Sequence, residues 1–366
     1  MSSMSGPQNE TNRIPFYRSR WVTLLFGLVA LVFVYLLVNE VIGGRCESTC
    51  VISALKDMFY YATPITFAAL TGLICERSGI VNIGIEGQLL MSAMVGYTVN
   101  FLTYQWLKGS IDPVTAGNIS RWIAVLAGIL ASVLMGLLLA VISIKYKTDQ
   151  IIGGTVIYIL ALGITGYIYF RYLAQNQLPG PGTFPVFPIP ILSQIPIIGK
   201  ILFNQQPLTY IMLLAVCFIY YALFYTPWGL RVRAVGEHPR AADTLGINVN
   251  KTRYIAVALG SILAGLGGVW FTLQSSDVFN PGMTNGLGFI GLAAMIFGKW
   301  NPIGALLGAL IFGLGSSITT TISIFRPDIP SRIPQMLPYI LTIIVLTGVI
   351  GRAVPPAAEN KPYDKQ

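Results

Sequence analysis

Charge is scarce in this 366-residue chain: only 10% of residues are charged, 54% are hydrophobic, and the mean hydropathy is +0.69. A soluble domain carries about 25% charged residues, so this composition cannot cover a water-facing surface. The same apolar mass excludes intrinsic disorder. Histidine is almost missing. His238 stands alone, which excludes a multi-histidine metal centre. The four cysteines have no metal-site pattern: Cys75 and Cys217 are isolated. Cys46 and Cys50 are spaced for a small loop disulfide if that loop faces an oxidising side. No metal and no cofactor are expected.

Catalytic sets are missing as well. An ATP-binding loop needs a glycine five residues before a Gly-Lys pair and Ser or Thr after it. Gly199-Lys200 has Gln194 and Ile201 at those places; Gly298-Lys299 has Ala293 and Trp300. No Ser-His-Asp set or paired-carboxylate motif is visible, so the chain is not read as an enzyme. Lys56, Asp57, Glu86 and Asp149 lie near the predicted ends of spans rather than mid-membrane. Ion-coupled transporters usually carry a buried acid for the coupling ion. An ion-coupled secondary transporter of a small polar solute therefore stays as the alternative class.

What remains is an all-α membrane protein, because a helix satisfies its own backbone in lipid. Ten apolar segments stand out: 21–42, 51–74, 88–107, 121–144, 150–172, 207–227, 253–274, 286–298, 302–324 and 334–351. Most reach the ~20 residues a span needs; 286–298 is short. Residues 1–20 and 352–366 read as polar tails around a polytopic domain, 21–351. The first run is long enough to be a retained span rather than a signal peptide, and no clear cleavage site follows it.

The net charge of +9 would suggest nucleic acid in a soluble protein. Here loop charges that set orientation explain it, and no nucleic-acid partner is expected. With a cytosolic N-terminus and ten alternating spans, cytosolic segments hold 15 lysines and arginines and outer segments hold 8. That is the positive-inside bias, and it places both termini in the cytosol of a cell bounded by this membrane. The proline-rich stretch 173–206 is then external, either a plain connector or a docking surface. The basic stretch 228–253 is a long cytosolic loop. Within it, Pro239 at a first turn and Gly246 at an end predict a short helix.

Small residues recur four apart: Gly128, Ser132, Gly136 and Ala140; Gly260, Ala264 and Gly268; Ala305, Ala309 and Gly313. That spacing lets helix backbones approach closely in a membrane. The segment ERSGIVNIGIEGQLLMS, 76–92, places Asn82, Glu86 and Gln88 between two apolar runs. It reads either as a polar loop or as a bent start to the third segment, lining the beginning of a translocation path. A later echo supports the second reading. Asn82 precedes Gly84-Ile-Glu-Gly87, and Asn285 precedes Gly288-Phe-Ile-Gly291. The two would enter from opposite sides. Opposite starts are what an inverted repeat requires, with segments two to five matched to seven to ten.

ERSGIVNIGIEGQLLMSA and LRVRAVGEHPRAADTLGINVNKTRYIAVALGSILAGLGG resemble the permease subunits of ABC-type importers. The branch is that for simple sugars and nucleosides, related to ribose and branched-chain amino-acid permeases. The resemblance runs from about residue 55 to residue 350. It implies a plasma-membrane subunit that carries a nucleoside or simple sugar, with ATP hydrolysis on separate ATP-binding subunits. It also implies a second permease, the same or homologous, and an extracytoplasmic solute-binding protein. The spacing Ala241-Ala242-x-x-x-Gly246 resembles the loop that couples such permeases to their ATPase. The residues carried over are Glu237, His238, Pro239, Arg240, Ala241, Ala242, Asp243 and Gly246, with Arg240 standing where the pattern usually has glutamate.

Overall fold

The computed structural model describes residues 48–174, 180–330, 332–338, 340 and 353–364. The predicted segment 21–42, the cysteine Cys46 and residues 341–351 of the last segment lie outside them. The described chain is helical, in the order α1 (Ser48–Arg77), α2 (Ile85–Leu107), α3 (Pro113–Ala140), α4 (Gln150–Ile168), α5 (Ile198–Leu202), α6 (Pro207–Tyr225), α7 (Pro227–Glu237), α8 (Pro239–Thr244), α9 (Val249–Trp270), α10 (Leu287–Phe297) and α11 (Pro302–Phe325). Wider π turns continue α3, α4 and α9 at Val141–Lys145, Tyr169–Leu173 and Phe271–Ser275. Among the described residues, six helices are long and apolar enough to cross a membrane.

Helix starts are written into short polar residues followed by proline. Asp112 accepts hydrogen bonds from the Val114 and Thr115 amides, with Pro113 at the first turn. Asn301 caps Ile303 and Gly304 ahead of Pro302, and Thr226 caps Gly229 ahead of Pro227. Asp149 caps α4 without a proline. Each cap satisfies amides that have no partner inside the helix, typically worth about 1 kcal/mol.

Eight of the ten predicted segments fall on described helices. The exception in character is α2. It is helical where 88–107 was expected, yet it is not one of the six apolar spans. Glu86, Gln88, Ser92 and Asn100 lower its hydropathy, and all four are buried. The helix is enclosed by α3, α4 and α9 instead of facing lipid. The short eighth segment is α10, whose 11 residues rise only about 16 Å, roughly half of a ~30 Å hydrocarbon core.

The bundle sorts by side-chain size. On α3, Leu126, Leu130 and Leu134 are exposed, while Gly128, Ser132 and Gly136 are buried. The small face lies on α9. A Cβ on Gly136 would collide with Ser261, and one on Gly265 would lie 2.6 Å from the Ile129 Cα. Hydroxyls tie the same contact: Ser132 donates to the Ser261 carbonyl and Ser92 to the Gly265 carbonyl, both at 2.7 Å. Gly313 likewise sits against Met58 and Ala62 of α1. These are the close approaches that the four-residue spacing predicted.

Of the stretch 173–206, residues 180–206 carry defined structure. Phe187–Pro188 pairs antiparallel with Asn204–Gln205. Arg121 donates to the carbonyls of Gly182 and Pro181 at 3.0 and 3.1 Å, and Phe184 donates to the Leu273 carbonyl at 2.7 Å.

Substituting Gly136→Val should overpack the α3–α9 contact and cost about 1–3 kcal/mol. The check is a thermal melt of the purified protein in detergent. Gly163→Val is the matched control, because a Cβ at Gly163 meets nothing within 4 Å. Equal melts for the two variants would contradict the packing described.

Candidate functional site

The turn from α1 into α2 is non-helical and enclosed. Ser78, Gly79, Ile80 and Asn82 are buried. Gly79 has φ +89°, and a Cβ there would lie 2.9 Å from the Arg253 guanidinium. The Val81 amide donates to the Gln150 side chain at 2.7 Å. Backbone of this kind is tolerated at depth only inside protein or along a cavity.

Glu86, in the first turn of α2, is 1% exposed. Its carboxylate reaches a segment about 200 residues away. One oxygen accepts from the Thr284 hydroxyl at 2.6 Å and the Gly286 amide at 2.8 Å. The other accepts from the Gly288 amide at 2.7 Å. Gly286 and Gly288 stand at the start of α10, so Glu86 serves as the cap that the helix does not carry itself. A carboxylate there also complements the positive end of the helix dipole. Asn285 and Gly286 both have positive φ, +45° and +79°, which turns their chain around the carboxylate.

The structure therefore joins Glu86 to the segment containing Asn285, and sets Asn82 and Gln88 apart. Asn82 donates to the Cys75 sulfur at 3.7 Å, and its Oδ1 is buried without a partner. Gln88 lies against Gly136 of α3 with neither end of its amide hydrogen-bonded. Thr284, Gly286 and Gly288 escaped the residue-by-residue reading. The signal was present in the two G-x-x-G echoes, because Gly288 lets the α10 backbone come within van der Waals reach of Glu86.

The bundle end bearing Arg77 holds the second candidate site. α8 spans Pro239–Thr244, and Gly246 follows with φ +82° and open space around it. Of the carried-over residues, Ala242 is buried and anchors the helix. Glu237, His238, Arg240, Ala241 and Gly246 are exposed, while Pro239 and Asp243 are half-buried. Leu245 is 82% exposed, a large apolar side chain facing outward. Gly236 packs its backbone on the Arg77 carbonyl. Next to it, Trp300 donates its indole N–H to Glu76 at 2.6 Å, and Arg77 donates to the Trp300 carbonyl at 2.9 Å.

Sequence reasoning missed the tail that straps this end. The Ala358 amide donates to the Gly236 carbonyl at 2.9 Å, and the Ala357 amide donates to Glu237 at 3.2 Å. Arg253, 2% exposed, donates to the carbonyls of Ser78 and Lys361, each at 3.2 Å. Lys147 pairs with Asp364. Tyr363 packs with Val235, Ala242 and Val249. A hydrogen bond to Asp243 raises the Tyr363 hydroxyl above its ordinary pKa, and burial raises the Glu359 carboxyl. Among the described residues, no cluster of His, Cys, Asp and Glu could hold a metal ion.

A profile for the branched-chain amino acid transport system permease component matches residues 54–346. The chain belongs to this permease family. The permease is 42% identical over 312 residues to the guanosine ABC transporter permease protein NupQ of Bacillus subtilis (strain 168), covering 83% of this chain and 94% of that protein. It is 39% identical over 314 residues to the nucleoside ABC transporter permease protein NupC of Lactococcus lactis subsp. cremoris (strain MG1363), covering 85% and 96%. It is 32% identical over 313 residues to the putative glucose ABC transporter permease protein TsgC13 of Haloferax volcanii, covering 80% and 89%. No solved structure matches the chain. The permease is thus a multi-pass membrane protein and a transporter subunit.

Glu86→Ala should strand two buried donors, Thr284 and Gly288, at about 1–3 kcal/mol each, and lower the thermal midpoint more than Glu86→Gln does. The glutamine still accepts at one oxygen. A melt unchanged in the alanine variant would contradict the joint. Deleting residues 353–366 should raise amide hydrogen exchange in residues 234–244 and 76–81. Unchanged protection there would show that the tail holds nothing in place.

Proposed function

We propose that this permease is the membrane subunit of an ATP-driven importer of nucleosides. One observation carries the reading: 42% identity extending over 94% of a protein described as a guanosine ABC transporter permease. The identity to the putative glucose permease is lower, 32%, which favours a nucleoside over a sugar. The chain brings no ATP-binding loop of its own, so hydrolysis falls to separate ATP-binding subunits.

On this reading α8 is the coupling helix, and the Arg77 end faces the cytosol together with both termini. The exposed Leu245 and the short helix held by Ala242 suit a contact with the ATP-binding subunit. A partner can shift the permease between two states only by as much as it binds them differently. A docked helix whose base is fastened to α1 and α9 is a means of making that difference. A second permease completes the translocation path, and an extracytoplasmic binding protein delivers the solute. The full membrane domain has ten helices, with segments two to five and seven to ten as an inverted repeat. The meeting of α2 and α10 starts at Glu86 supports that symmetry. Asn82, Glu86, Gln88 and Asn285 stand at the start of the path.

Purifying the tagged permease from its host in mild detergent should bring down an ATP-binding subunit in near-equal amount, identified by mass spectrometry. Proteoliposomes of that complex should take up tritiated guanosine with ATP and the binding protein. Gly246→Trp should insert normally and lose nucleoside-stimulated ATP hydrolysis; normal stimulation in that variant would remove α8 from the coupling role. A permease that purifies alone and responds to an ion gradient would overturn the importer reading itself.

A further inference from the structure

At the end of the bundle opposite Arg77, a cavity of about 220 Å³ opens between α1 and the strand leading into α6. Its walls carry Lys56, Asp57, Tyr60 and Tyr61 from α1, and Gln205 and Gln206 from the folded loop. Asp57 is 20 residues before Arg77, about 30 Å along the helix. On the proposed orientation this is the outward mouth.

The polar groups are held in place and left open toward the cavity. Gln205 spends its amide hydrogens on the carbonyls of Lys56, at 3.0 Å, and Ile201, at 2.8 Å. Gln206 donates to the Phe184 carbonyl at 2.8 Å, which fixes its amide, and its Oε1 is buried without a partner. Lys56 and Asp57 are half-buried, and neither is in an ion pair among the described residues. An ionisable side chain within a membrane-spanning helix is a functional candidate by default, and both lie in the span Val51–Arg77.

The aromatic groups are equally rigid. The Tyr60 hydroxyl donates to the Gln274 carbonyl at 3.3 Å, and the Tyr61 hydroxyl bonds with that of Thr320 at 3.0 Å. Their rings stand edge to face, 5.1 Å apart at 81°. With the hydroxyls anchored, the rings contribute flat apolar surface. The site therefore offers an aromatic wall, a carboxylate and an amide oxygen as acceptors, and an ammonium as donor.

We infer that this cavity is a binding site for the base of a purine nucleoside, a reading that rests on the nucleoside function proposed above. A flat heterocycle fits the tyrosine wall. Two adjacent N–H donors on a guanine-type edge fit a bidentate carboxylate, which adds direction as well as energy. The volume falls below the ~300–1,000 Å³ of pockets that enclose a whole drug-sized ligand. It takes the base and leaves the ribose at the mouth.

The test uses the intact permease–ATPase complex in nanodiscs, without the binding protein, and equilibrium binding of tritiated guanosine. Asp57→Asn should weaken guanosine binding at least tenfold and leave adenosine, which lacks the paired donors, within twofold. Gln206→Ala should weaken both. As a measurement that needs no loss of function, Lys56→Cys should react with an impermeant maleimide and be protected by guanosine. Guanosine binding within twofold of wild type in both Asp57→Asn and Gln206→Ala, with unprotected labelling, would overturn the site while leaving the nucleoside reading intact. A wild-type complex that neither binds nor takes up any nucleoside would overturn the nucleoside reading, and the site with it.

Discussion

A carboxylate in the first turn of one helix, held by three donors from the start of another, joins the two halves of this chain. Glu86 and the segment Thr284 to Gly288 are about 200 residues apart in sequence. Each half contains a stretch of non-helical backbone before its helix, 78–84 and 276–286. Lipid does not tolerate exposed polar backbone, so the enclosed stretch needs partners within the protein. The first finds them in Gln150 and Arg253. The second is exposed at Ser276, Asn280, Pro281 and Asn285 and anchors its last residues on Glu86. Gly288 is required because a side chain there would collide with Glu86 itself. The joint lets α10 begin without its own capping side chain, and so lets a helix of half-membrane length exist.

Around that joint the bundle is closed by size rather than by polarity. In lipid, large apolar side chains gain little by turning inward, and small ones gain by letting backbones touch. The α3 faces obey this, with leucines outward and Gly128, Ser132 and Gly136 inward. The serine-to-carbonyl bonds across α3, α2 and α9 occur where backbones are close enough to be reached by one hydroxyl. Glycine spacing and buried serine are two expressions of one constraint.

That constraint also explains which features could be read from the chain. Apolar length located six described helices of spanning length and the short α10, and Pro239 marked a helix start at the right place. Gly246 marked the end of the short helix α8 because a left-handed turn there favours glycine. Hydropathy misjudged α2, because a helix buried within protein can carry Glu86, Gln88 and Asn100 without facing lipid. The partners of Glu86 were hidden for another reason: donors from backbone amides have no residue signature. The tail strap was hidden for the same reason, since Ala357, Ala358 and Lys361 act through main-chain atoms. The tie of residues 181 and 182 to α3 rests on carbonyls taken up by Arg121, again invisible as composition.

The two ends of the molecule differ in how they are tied, and α1 connects them. At the Arg77 end, α7, the tail, α9 and the Trp300 turn are fastened to one another by main-chain and charged hydrogen bonds. At the opposite end, Lys56 and Asp57 have no ion pair among the described residues and stand beside an open cavity. Between them α1 runs as one 30-residue helix interrupted chemically at Pro64, which has no amide to donate. Proline is where a helix bends at least cost. Tyr60 and Tyr61 lie within one turn on one side of Pro64, and Arg77 lies three to four turns away on the other. α6 and α9 also run between the two ends, but among the three α1 is the one with a proline in its interior. Under the function proposed above, a stiff end at Arg77 and a loosely committed far end suit a subunit that receives force at one side and meets solute at the other.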